Sequence, residues 1–233
     1  MKTIIFDTGP IISLAMNNLL WILKPLSKDF DGEFIITSSV KKEGIERPIQ
    51  TKKFKFQAMQ VLKIYKEGII KMAESKKINT YSKELLETAN SIFSAKGKNI
   101  QIVHEGEMQA VAASILLGSE AIVIDERTTR ILIESPRNLQ TMLSKKNKAN
   151  IEINEEKLKL WQDTIKNIKV IRSTELATIA FEKGYLNEFV PDIRNGKEEL
   201  LEGILWGLRL NGCSISNIEI AKLHKIERRL GNS

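Results

Sequence analysis

The chain has 233 residues, of which 42% are hydrophobic and 28% are charged, and its net charge is +7. This length suits one domain with an appendage, and the composition excludes a disordered chain. No apolar run approaches the roughly 20 residues of a membrane span, so we expect no membrane segment. The start, residues 1–7, has an acid inside its apolar run and no signal-peptide cleavage site, so we interpret it as a strand.

Cysteine and histidine are too scarce to build several common kinds of site. The single cysteine, Cys213, cannot form a disulfide framework, so we expect a cytoplasmic protein and interpret this thiol as a packed residue. The two histidines, His104 and His224, are too few and too scattered for a histidine-based metal site. A serine hydrolase is poorly supported, because no Gly-x-Ser-x-Gly sequence is present.

The positive charge is concentrated in one segment. Residues 41–98 contain 14 Lys/Arg against 6 Asp/Glu, whereas the segments on either side are close to neutral. A basic surface attracts a polyanion such as nucleic acid, because neutralised phosphates release condensed counterions. A solvated lysine-rich face is the alternative, and the charge alone does not decide between the two.

The first elements are predicted to be a strand, a helix, a second strand and a second helix. The apolar run over 2–6 is the first strand, and Pro10 suits the first turn of the following helix. A second strand is predicted at 33–36. Hydroxyl side chains at 37–39 then supply caps for a helix that carries Glu43.

Two amphipathic helices are predicted next, at 52–72 and at about 80–95, with Gly97 as the C-cap of the second. We interpret residues 52–98 as a helical hairpin arm that carries the basic excess. Four aromatic residues lie among its lysines: Phe54, Phe56, Tyr65 and Tyr81. Base stacking is one interpretation of this pattern, but core packing is favoured for the two phenylalanines.

The remaining chain continues the alternation of strands and helices. Strands are predicted at 100–103, 121–124 and 169–172, and helices at 106–118, 128–134, 173–183 and, as a pair, within 195–231. This order implies a parallel sheet covered by helices on both faces. The stretch 136–168 interrupts the order and is interpreted as an inserted helical segment.

Acidic residues occur where parallel α/β folds place their sites. Asp7 and Asp125 each end an apolar strand, Glu107 lies in the first turn of a helix, and Glu43 lies in an early helix. Ligands of open parallel sheets bind outside the carboxyl ends of the strands. Converging carboxylates repel one another, and a divalent cation such as Mg²⁺ or Mn²⁺ relieves that repulsion. Each acid taken singly also fits a helix cap or a surface ion pair.

The ordered set of acidic motifs resembles the PIN-domain nucleases. Ile4-Ile5-Phe6-Asp7-Thr8-Gly9-Pro10-Ile11-Ile12-Ser13-Leu14-Ala15 resembles the first motif, and Val40-Lys41-Lys42-Glu43 resembles the second. Gly106-Glu107 followed by Ala110-Val111-Ala112-Ala113 resembles the third, and Ile122-Val123-Ile124-Asp125-Glu126-Arg127 resembles the fourth. The match covers roughly 1–135, and archaeal stand-alone PIN proteins are the most similar members.

The resemblance implies a three-layer α/β/α fold with a central parallel sheet, to which the pattern of this chain adds a helical arm and extra C-terminal helices. It places a PIN-like nuclease domain at 1–186, including the arm at about 52–98 and the inserted segment at about 136–168. Residues 187–233 would then be a C-terminal helical extension. The segments 136–168 and 195–233 are candidate surfaces for a protein partner or for a second copy of the chain.

The resemblance also implies Mg²⁺- or Mn²⁺-dependent hydrolysis of RNA, with single strands as the expected partner. The implied catalytic and metal-binding residues are Asp7, Glu43, Glu107 and Asp125, with Glu126 as a secondary ligand and Thr8 as a supporting hydroxyl. The candidate RNA-binding residues are Lys52, Lys53, Lys55, Lys63, Lys66, Arg127 and Arg130, with Lys76 and Lys77 in the same basic segment. For the two arginines, a solvent-facing helix start is an equal alternative.

Three classes of function are open on the sequence. An endoribonuclease, acting in RNA processing or as the toxin of a toxin–antitoxin pair, is the leading hypothesis. An RNA-binding or assembly module with an idle metal site is the second, although the presence of all four acids favours the enzyme. A phosphatase-like or flap-nuclease activity that uses the same metal chemistry is the third.

Overall fold

The computed structural model describes the backbone of residues 2–230 and, within this range, the side chains other than those of 224 and 226–230. Residues 231–233 of the predicted extension and the His224 side chain lie outside the described residues. Two 3-10 turns lie at Leu20–Ile22 and Asn187–Phe189, and a π turn lies at Lys42–Glu46. In chain order the other elements are β1 (Lys2–Phe6), α1 (Thr8–Met16), α2 (Leu23–Phe30), β2 (Gly32–Thr37), α3 (Ser38–Lys41), α4 (Arg47–Ile49), α5 (Lys55–Lys66), β3 (Ile70–Ala73), α6 (Lys76–Asn90), β4 (Phe93–Ala95), β5 (Lys98–Asn99), α7 (Glu105–Leu117), β6 (Ala121–Val123), α8 (Arg127–Glu134), α9 (Pro136–Asn147), β7 (Glu152–Ile153), α10 (Glu155–Ile165), β8 (Val170–Ile171), α11 (Ser173–Glu182), α12 (Gly196–Leu210) and α13 (Asn217–Leu230).

A five-stranded sheet in the order β3-β2-β1-β6-β8 lies at the centre, and each pair of neighbouring strands is parallel. Ile5 of β1 lies opposite Ile35 of β2 and Ile122 of β6. Successive side chains of a strand point to opposite faces. Ile4 and Phe6 therefore enter one hydrophobic core, and Ile5 enters the other.

The two cores define the helical layers. Helices α1, α2, α5, α11, α12 and α13 contribute side chains to the core that contains Phe6, whereas α6, α7, α8, α9 and α10 contribute to the core that contains Ile5. Burial on both faces explains why these strands are continuous apolar runs without alternation. The predicted three-layer α/β/α fold with a central parallel sheet is confirmed.

The predicted hairpin arm at 52–98 is wrong. Strand β3 separates α5 from α6 and pairs with β2 at the edge of the central sheet. The apolar face of α5, with Val61 and Ile64, packs on one side of that sheet, and α6 packs on the other. Gly68, with φ of +73°, follows the end of α5 and lets the chain turn into β3. The basic segment is thus divided between two layers instead of forming one projection.

The strand predicted at 100–103 is also wrong, because a side chain takes the place of a neighbouring strand. The amide group of Asn90 accepts hydrogen bonds from the backbone N–H groups of Ile102 and Val103, at 2.8 and 3.1 Å, and donates to the Val103 carbonyl. Gly97 does not cap a helix, since α6 ends at Asn90 and Gly97 lies in the turn between β4 and β5.

The segment 136–168 and the C-terminal helices are integral to the two cores. Trp161 of α10 is fully buried and donates its indole N–H to the Leu132 carbonyl at 2.9 Å. Strand β7 pairs with β4 in a small antiparallel sheet in the order β5-β4-β7. Leu201, Leu205 and Leu208 of α12 lie in the same core as Phe6. None of the helices within residues 2–230 has the length and apolar composition that a membrane crossing requires.

A close approach between α12 and α1 fixes the C-terminal helices to the sheet. A β-carbon at Gly207 would lie 2.4 Å from the side-chain oxygen of Asn17. Asn17 has little room to move, because its amide donates to the Ser13 carbonyl at 2.7 Å and accepts from Asn211 at 3.2 Å. The glycine is therefore required for contact between these two helices.

We expect Gly207→Ala to lower the free energy of unfolding by about 1–2 kcal/mol, because the added methyl group forces Asn17 out of its hydrogen bonds. Gly203→Ala in the same helix is the matched control, since a β-carbon there meets no atom within 4 Å. The control should be neutral or stabilising by up to about 1 kcal/mol, because alanine favours helix more than glycine. Urea unfolding measures both, and equal stabilities would contradict the close contact.

Candidate active site

Asp7 lies at the point where β1 ends and α1 begins. Its side chain accepts a hydrogen bond from the Gly9 N–H at 3.4 Å, and its own N–H donates to the Val123 carbonyl of β6. The pKa of Asp7 is raised to about 6, mainly because the side chain is buried. The negative charges of Glu43 and Asp125 contribute to this rise. Asp7 is therefore within electrostatic range of both neighbouring acids.

Asp125 follows β6 and is almost completely buried, with 1% of its surface exposed. Both of its carboxylate oxygens accept hydrogen bonds from Ser173, one from the backbone N–H at 2.8 Å and one from the hydroxyl at 2.7 Å. A β-carbon at Gly9 would lie 3.6 Å from both the Asp125 β-carbon and an Asp7 carboxylate oxygen. The two strand-end acids therefore flank Gly9.

Glu43 projects from the π turn at Lys42–Glu46, and its position differs from that of a regular helical residue. The Thr8 hydroxyl donates to Oε2 of Glu43 at 3.2 Å, and the Ser39 hydroxyl lies 3.5 Å from Oε1. A β-carbon at Gly106 would lie 3.3 Å from Oε1. The carboxylate of Glu43 is thus held between the first turn of α1 and the first turn of α7.

Glu107 lies in that first turn of α7, where its Oε2 accepts a hydrogen bond from the His104 N–H at 2.7 Å. Burial is the main reason that its pKa is raised to about 7, and the negative charges of Asp7 and Glu126 contribute. Asp7 therefore interacts with Glu43, Asp125 and Glu107. The structure brings the other three predicted acids within electrostatic range of Asp7.

The supporting residues have more varied surroundings. Both oxygens of Glu126 cap α8, accepting from the N–H groups of Thr128 at 2.8 Å and Thr129 at 2.6 Å. Arg127 is exposed. Arg130 is not a free phosphate ligand, because its guanidinium donates to the Ser214 carbonyl at 3.0 Å and lies 3.9 Å from Glu219. The prediction of a phosphate contact for Arg130 is corrected accordingly.

A group of residues that the sequence did not indicate secures the C-terminal segment beside Asp125. The Ser214 N–H donates to the Asp125 carbonyl at 3.0 Å. Arg172, which is buried, donates to Glu219 at 2.8 Å and also binds Glu175. Burial alone would raise the pKa of Glu219, but hydrogen bonds from Ser216 and the charge of Arg172 lower it to about 2. Arg172 immediately follows β8, and this strand-end position was the available signal.

Two further predictions concern the same region. The helix predicted at 173–183 begins at Ser173, whose hydroxyl binds Asp125, and the backbone N–H of Arg172 donates to Glu175 at the start of that helix. Cys213 is a packed residue as expected. Burial, together with the charge of Asp125, raises the pKa of its thiol to about 12, so a thiolate does not form near neutral pH.

An open cleft of about 580 Å³ runs along the exposed side of Glu43. Three cations line it, Lys41, Lys42 and Arg47, together with four acids, Glu43, Glu46, Glu74 and Glu105. Lys41 is paired with Glu46 at 3.2 Å. The cleft is therefore mixed in charge, and Glu43 links it to the acidic cluster.

The donor set suits Mg²⁺ or Mn²⁺, because it consists of carboxylates that raise one another's pKa and a hard divalent cation binds oxygen. In the described part of the chain, however, no three His, Cys, Asp or Glu residues are arranged as a metal-binding group. Protein donors hold Asp125 and Glu107, and each bonded carboxylate oxygen retains a second lone pair for a cation.

Comparison with known families agrees with this geometry. A family model described as a PIN domain matches residues 3–137, which is more than half of the chain. The chain therefore belongs to the PIN-domain family, a family of nuclease folds, whose members typically use divalent metals. Searches of curated proteins and of solved structures found no match. The resemblance to archaeal members stays a prediction.

The raised pKa values predict how stability depends on pH when no divalent cation is present. In the folded chain the pKa values of Asp7 and Glu107 are about 6 and 7. In the unfolded chain both pKa values are about 4, so the folded chain binds these protons more tightly. Their contribution to stability is therefore complete below about pH 4 and is lost as the pH rises through about 6–7. Glu219, whose pKa is lowered to about 2, is ionised in both the folded and the unfolded chain well above pH 4.5. It therefore does not offset this loss of stability.

Asp7→Asn should flatten this decline and stabilise the metal-free protein at pH 8 by on the order of 1–3 kcal/mol. Asparagine caps helices as well as aspartate does, so the start of α1 is preserved. Urea unfolding at several pH values in EDTA measures the effect, with the exposed Asp163→Asn as the control that should follow the unmodified protein. A wild-type stability that stays constant between pH 4.5 and 8 would contradict the assignment.

Proposed function

We propose that the chain is a metal-dependent endoribonuclease that hydrolyses phosphodiester bonds of single-stranded RNA. The observation that carries this proposal is the convergence of Asp7, Glu43, Glu107 and Asp125 around one buried carboxylate at the carboxyl end of the parallel sheet. Membership of the PIN-domain family supports nuclease chemistry at that position.

In this proposal the four acids hold Mg²⁺ or Mn²⁺, with Glu126 as a secondary ligand. The cation, when bound, supplies positive charge that polarises the scissile phosphate and assists the formation of hydroxide from water. The chain's own contribution is to keep carboxylates close together without a counter-charge. Burial of Asp7 makes this arrangement costly in the absence of a cation and therefore favours cation binding.

Hydroxyl groups orient the proposed ligands. Thr8 and Ser39 bind the two oxygens of Glu43, and Ser173 binds both oxygens of Asp125. Such outer hydrogen bonds fix the direction of metal ligands in proteins. Thr8, Ser39 and Ser173 are therefore positioning residues.

RNA incubated with Mg²⁺ or Mn²⁺ should be cleaved, and EDTA should abolish the cleavage. Asp7→Asn should reduce the rate by more than the roughly 10–100-fold that loss of an outer hydrogen-bond partner costs. Asp163→Asn, an exposed acid on α10, is the matched control and should retain full activity. The substrates are total RNA and synthetic single strands. Undiminished cleavage by the Asp7→Asn protein would reject the proposed site.

The proposed RNA-backbone contacts come from the lysines that precede and lie on α5 (Lys52, Lys53, Lys55, Lys63 and Lys66), and from Arg127. The five lysines are exposed. Lys63 lies 4.0 Å from Glu67, a distance that leaves it largely solvated. Lys76 and Lys77 lie at the start of α6, on the opposite layer, so the lysine clusters of the basic segment make separable contributions.

Replacing Lys52, Lys53 and Lys55 with Gln should weaken RNA binding and reduce the log–log salt slope by about 0.7 per lost phosphate contact. The control replaces Lys145, Lys146 and Lys148, three exposed lysines at the end of α9, and removes the same total charge. Titration at several salt concentrations compares the two. Equal effects of the two triple variants would mean that only net charge matters, and that no contact is made near α5.

An RNA-binding or assembly module with an idle metal site is the second candidate. It is favoured by the hydrogen bonds that engage Asp125 and Glu126 and by the lack of a ready metal-binding group within the described residues. Thermal unfolding distinguishes the candidates, because a metal enzyme is stabilised by Mg²⁺ or Mn²⁺ through its acids. A module that binds RNA without cleavage or a metal-dependent shift would support the second candidate.

A further inference from the structure

Three apolar side chains beside the basic residues of α5 are exposed, which contradicts the prediction that the phenylalanines pack in the core. Phe56 is 67% exposed, Met59 is 55% exposed and Phe54 is 37% exposed. Phe56 and Met59 are three residues apart on one helix, so they share a face. We refer to Lys52, Lys53, Phe54, Lys55, Phe56 and Met59 as the aromatic–lysine patch.

The backbone at Phe54 is unusual for an aromatic residue. Its φ of 60° and ψ of 13° place it in the left-handed region, which costs an L-residue about 1–2 kcal/mol. Burial does not offset this cost, because the ring is partly exposed. The ring instead stands beside a cation, with the Lys53 ammonium 4.8 Å from its centroid.

The charge around the patch has one sign. Residues 47–66 contain six cations and no Asp or Glu. The three lysines of the patch are exposed. A second copy of the same patch would be repelled by like charge, whereas a polyanion would be attracted. Exposed aromatic rings among cations suit unpaired nucleobases, whose faces stack on rings while their phosphates meet the lysines.

The patch begins three residues after the end of the helical run that carries Glu43. Helix α3, the π turn that carries Glu43 and helix α4 form one continuous helical run from Ser38 to Ile49. At about 1.5 Å per residue, the end of this run lies only about 10 Å from Glu43 along the axis. At the opposite end of α5 from the patch, the Lys41 ammonium lies 5.7 Å from the centroid of the Tyr65 ring, so α5 packs alongside this run.

We propose that the aromatic–lysine patch is a base-stacking subsite, in which Phe56 and Phe54 receive unpaired bases of the RNA strand that reaches the acidic cluster. This inference rests on the proposed function for the identity of the strand. Duplex RNA does not fit the subsite, because its bases are stacked on one another and their faces are covered. The subsite therefore selects single-stranded segments.

Binding in EDTA tests the subsite without cleavage. The probes are a fluorescein-labelled oligouridylate of about 12 nucleotides and an abasic ribose-phosphate strand of equal length, followed by fluorescence anisotropy. Phe56→Ala should weaken binding of the oligouridylate by about 5- to 100-fold and leave binding of the abasic strand unchanged. Its salt slope should stay unchanged, because no charge is removed.

Three further variants control for loss of an aromatic group. Phe56→Trp should retain base binding, because the larger ring still stacks, whereas Phe56→Leu should lose it although the residue stays apolar. Phe189→Ala removes an exposed aromatic ring distant in sequence, in the turn Asn187–Phe189, and should change neither probe. Thermal unfolding should show that the Phe56 variants are folded, because the Phe56 side chain is exposed and contributes little to the core.

Equal binding of the two probes by the unmodified protein would overturn the subsite, as would equal binding by Phe56→Trp and Phe56→Leu. Self-association that is lost in Phe56→Ala would identify the patch as an interface between copies and would also overturn it. Base-selective binding without metal-dependent cleavage would leave the subsite standing while the proposed function fails. Metal-dependent cleavage by a protein that binds the two probes equally would leave the proposed function standing while the subsite fails.

Discussion

Negative charge placed at the carboxyl edge of an apolar parallel sheet is the constraint on which the surrounding structure depends. Asp7 is buried beside Asp125 and within range of Glu43 and Glu107, and the cost appears as its raised pKa. Partial compensation comes from helix starts. Asp7 caps α1, Glu107 lies in the first turn of α7, Glu126 caps α8, and Asp125 accepts from the first N–H of α11. These N–H groups and helix dipoles favour the anions.

The residues that follow the family match contribute to the same arrangement. Ser173 and Ser214 lie beyond residue 137, and both donate hydrogen bonds to Asp125. Arg130 and Arg172 bind Glu219, so an ion-pair network holds the segment around Ser214 in place. Breaking such a network would leave a buried charge without a partner. The C-terminal helices are therefore part of the support for Asp125 and not an independent appendage.

The strand-end acids and the parallel sheet were predictable because both follow from local signals, an apolar run and the residue directly after it. The arm at 52–98 was not predictable in the same way, because β3 has only four residues and continues the amphipathic pattern of α5. Asn90, the last residue of α6, accepts the hydrogen bonds of Ile102 and Val103 that a neighbouring strand would otherwise accept. No hydrophobic periodicity indicates such a contact. The π turn around Glu43 and the bonds between Arg172 and Glu219 likewise depend on tertiary contacts.

Phe54 and Phe56 were predicted to pack in the core but are exposed, and this changes the interpretation of the basic segment. An aromatic residue in an amphipathic helix is ordinarily assigned to the core, and Val61 and Ile64 of α5 obey that rule. The first turn of α5 does not, because it extends past the edge of the core while keeping its rings and lysines together. A phosphate approaching the carboxylates is repelled by them unless cations stand nearby. In the proposed subsite, the lysines beyond the end of the helical run that carries Glu43 would oppose that repulsion. The rings of the proposed subsite would also retain an unpaired strand at high salt, because stacking does not weaken with salt as phosphate contacts do.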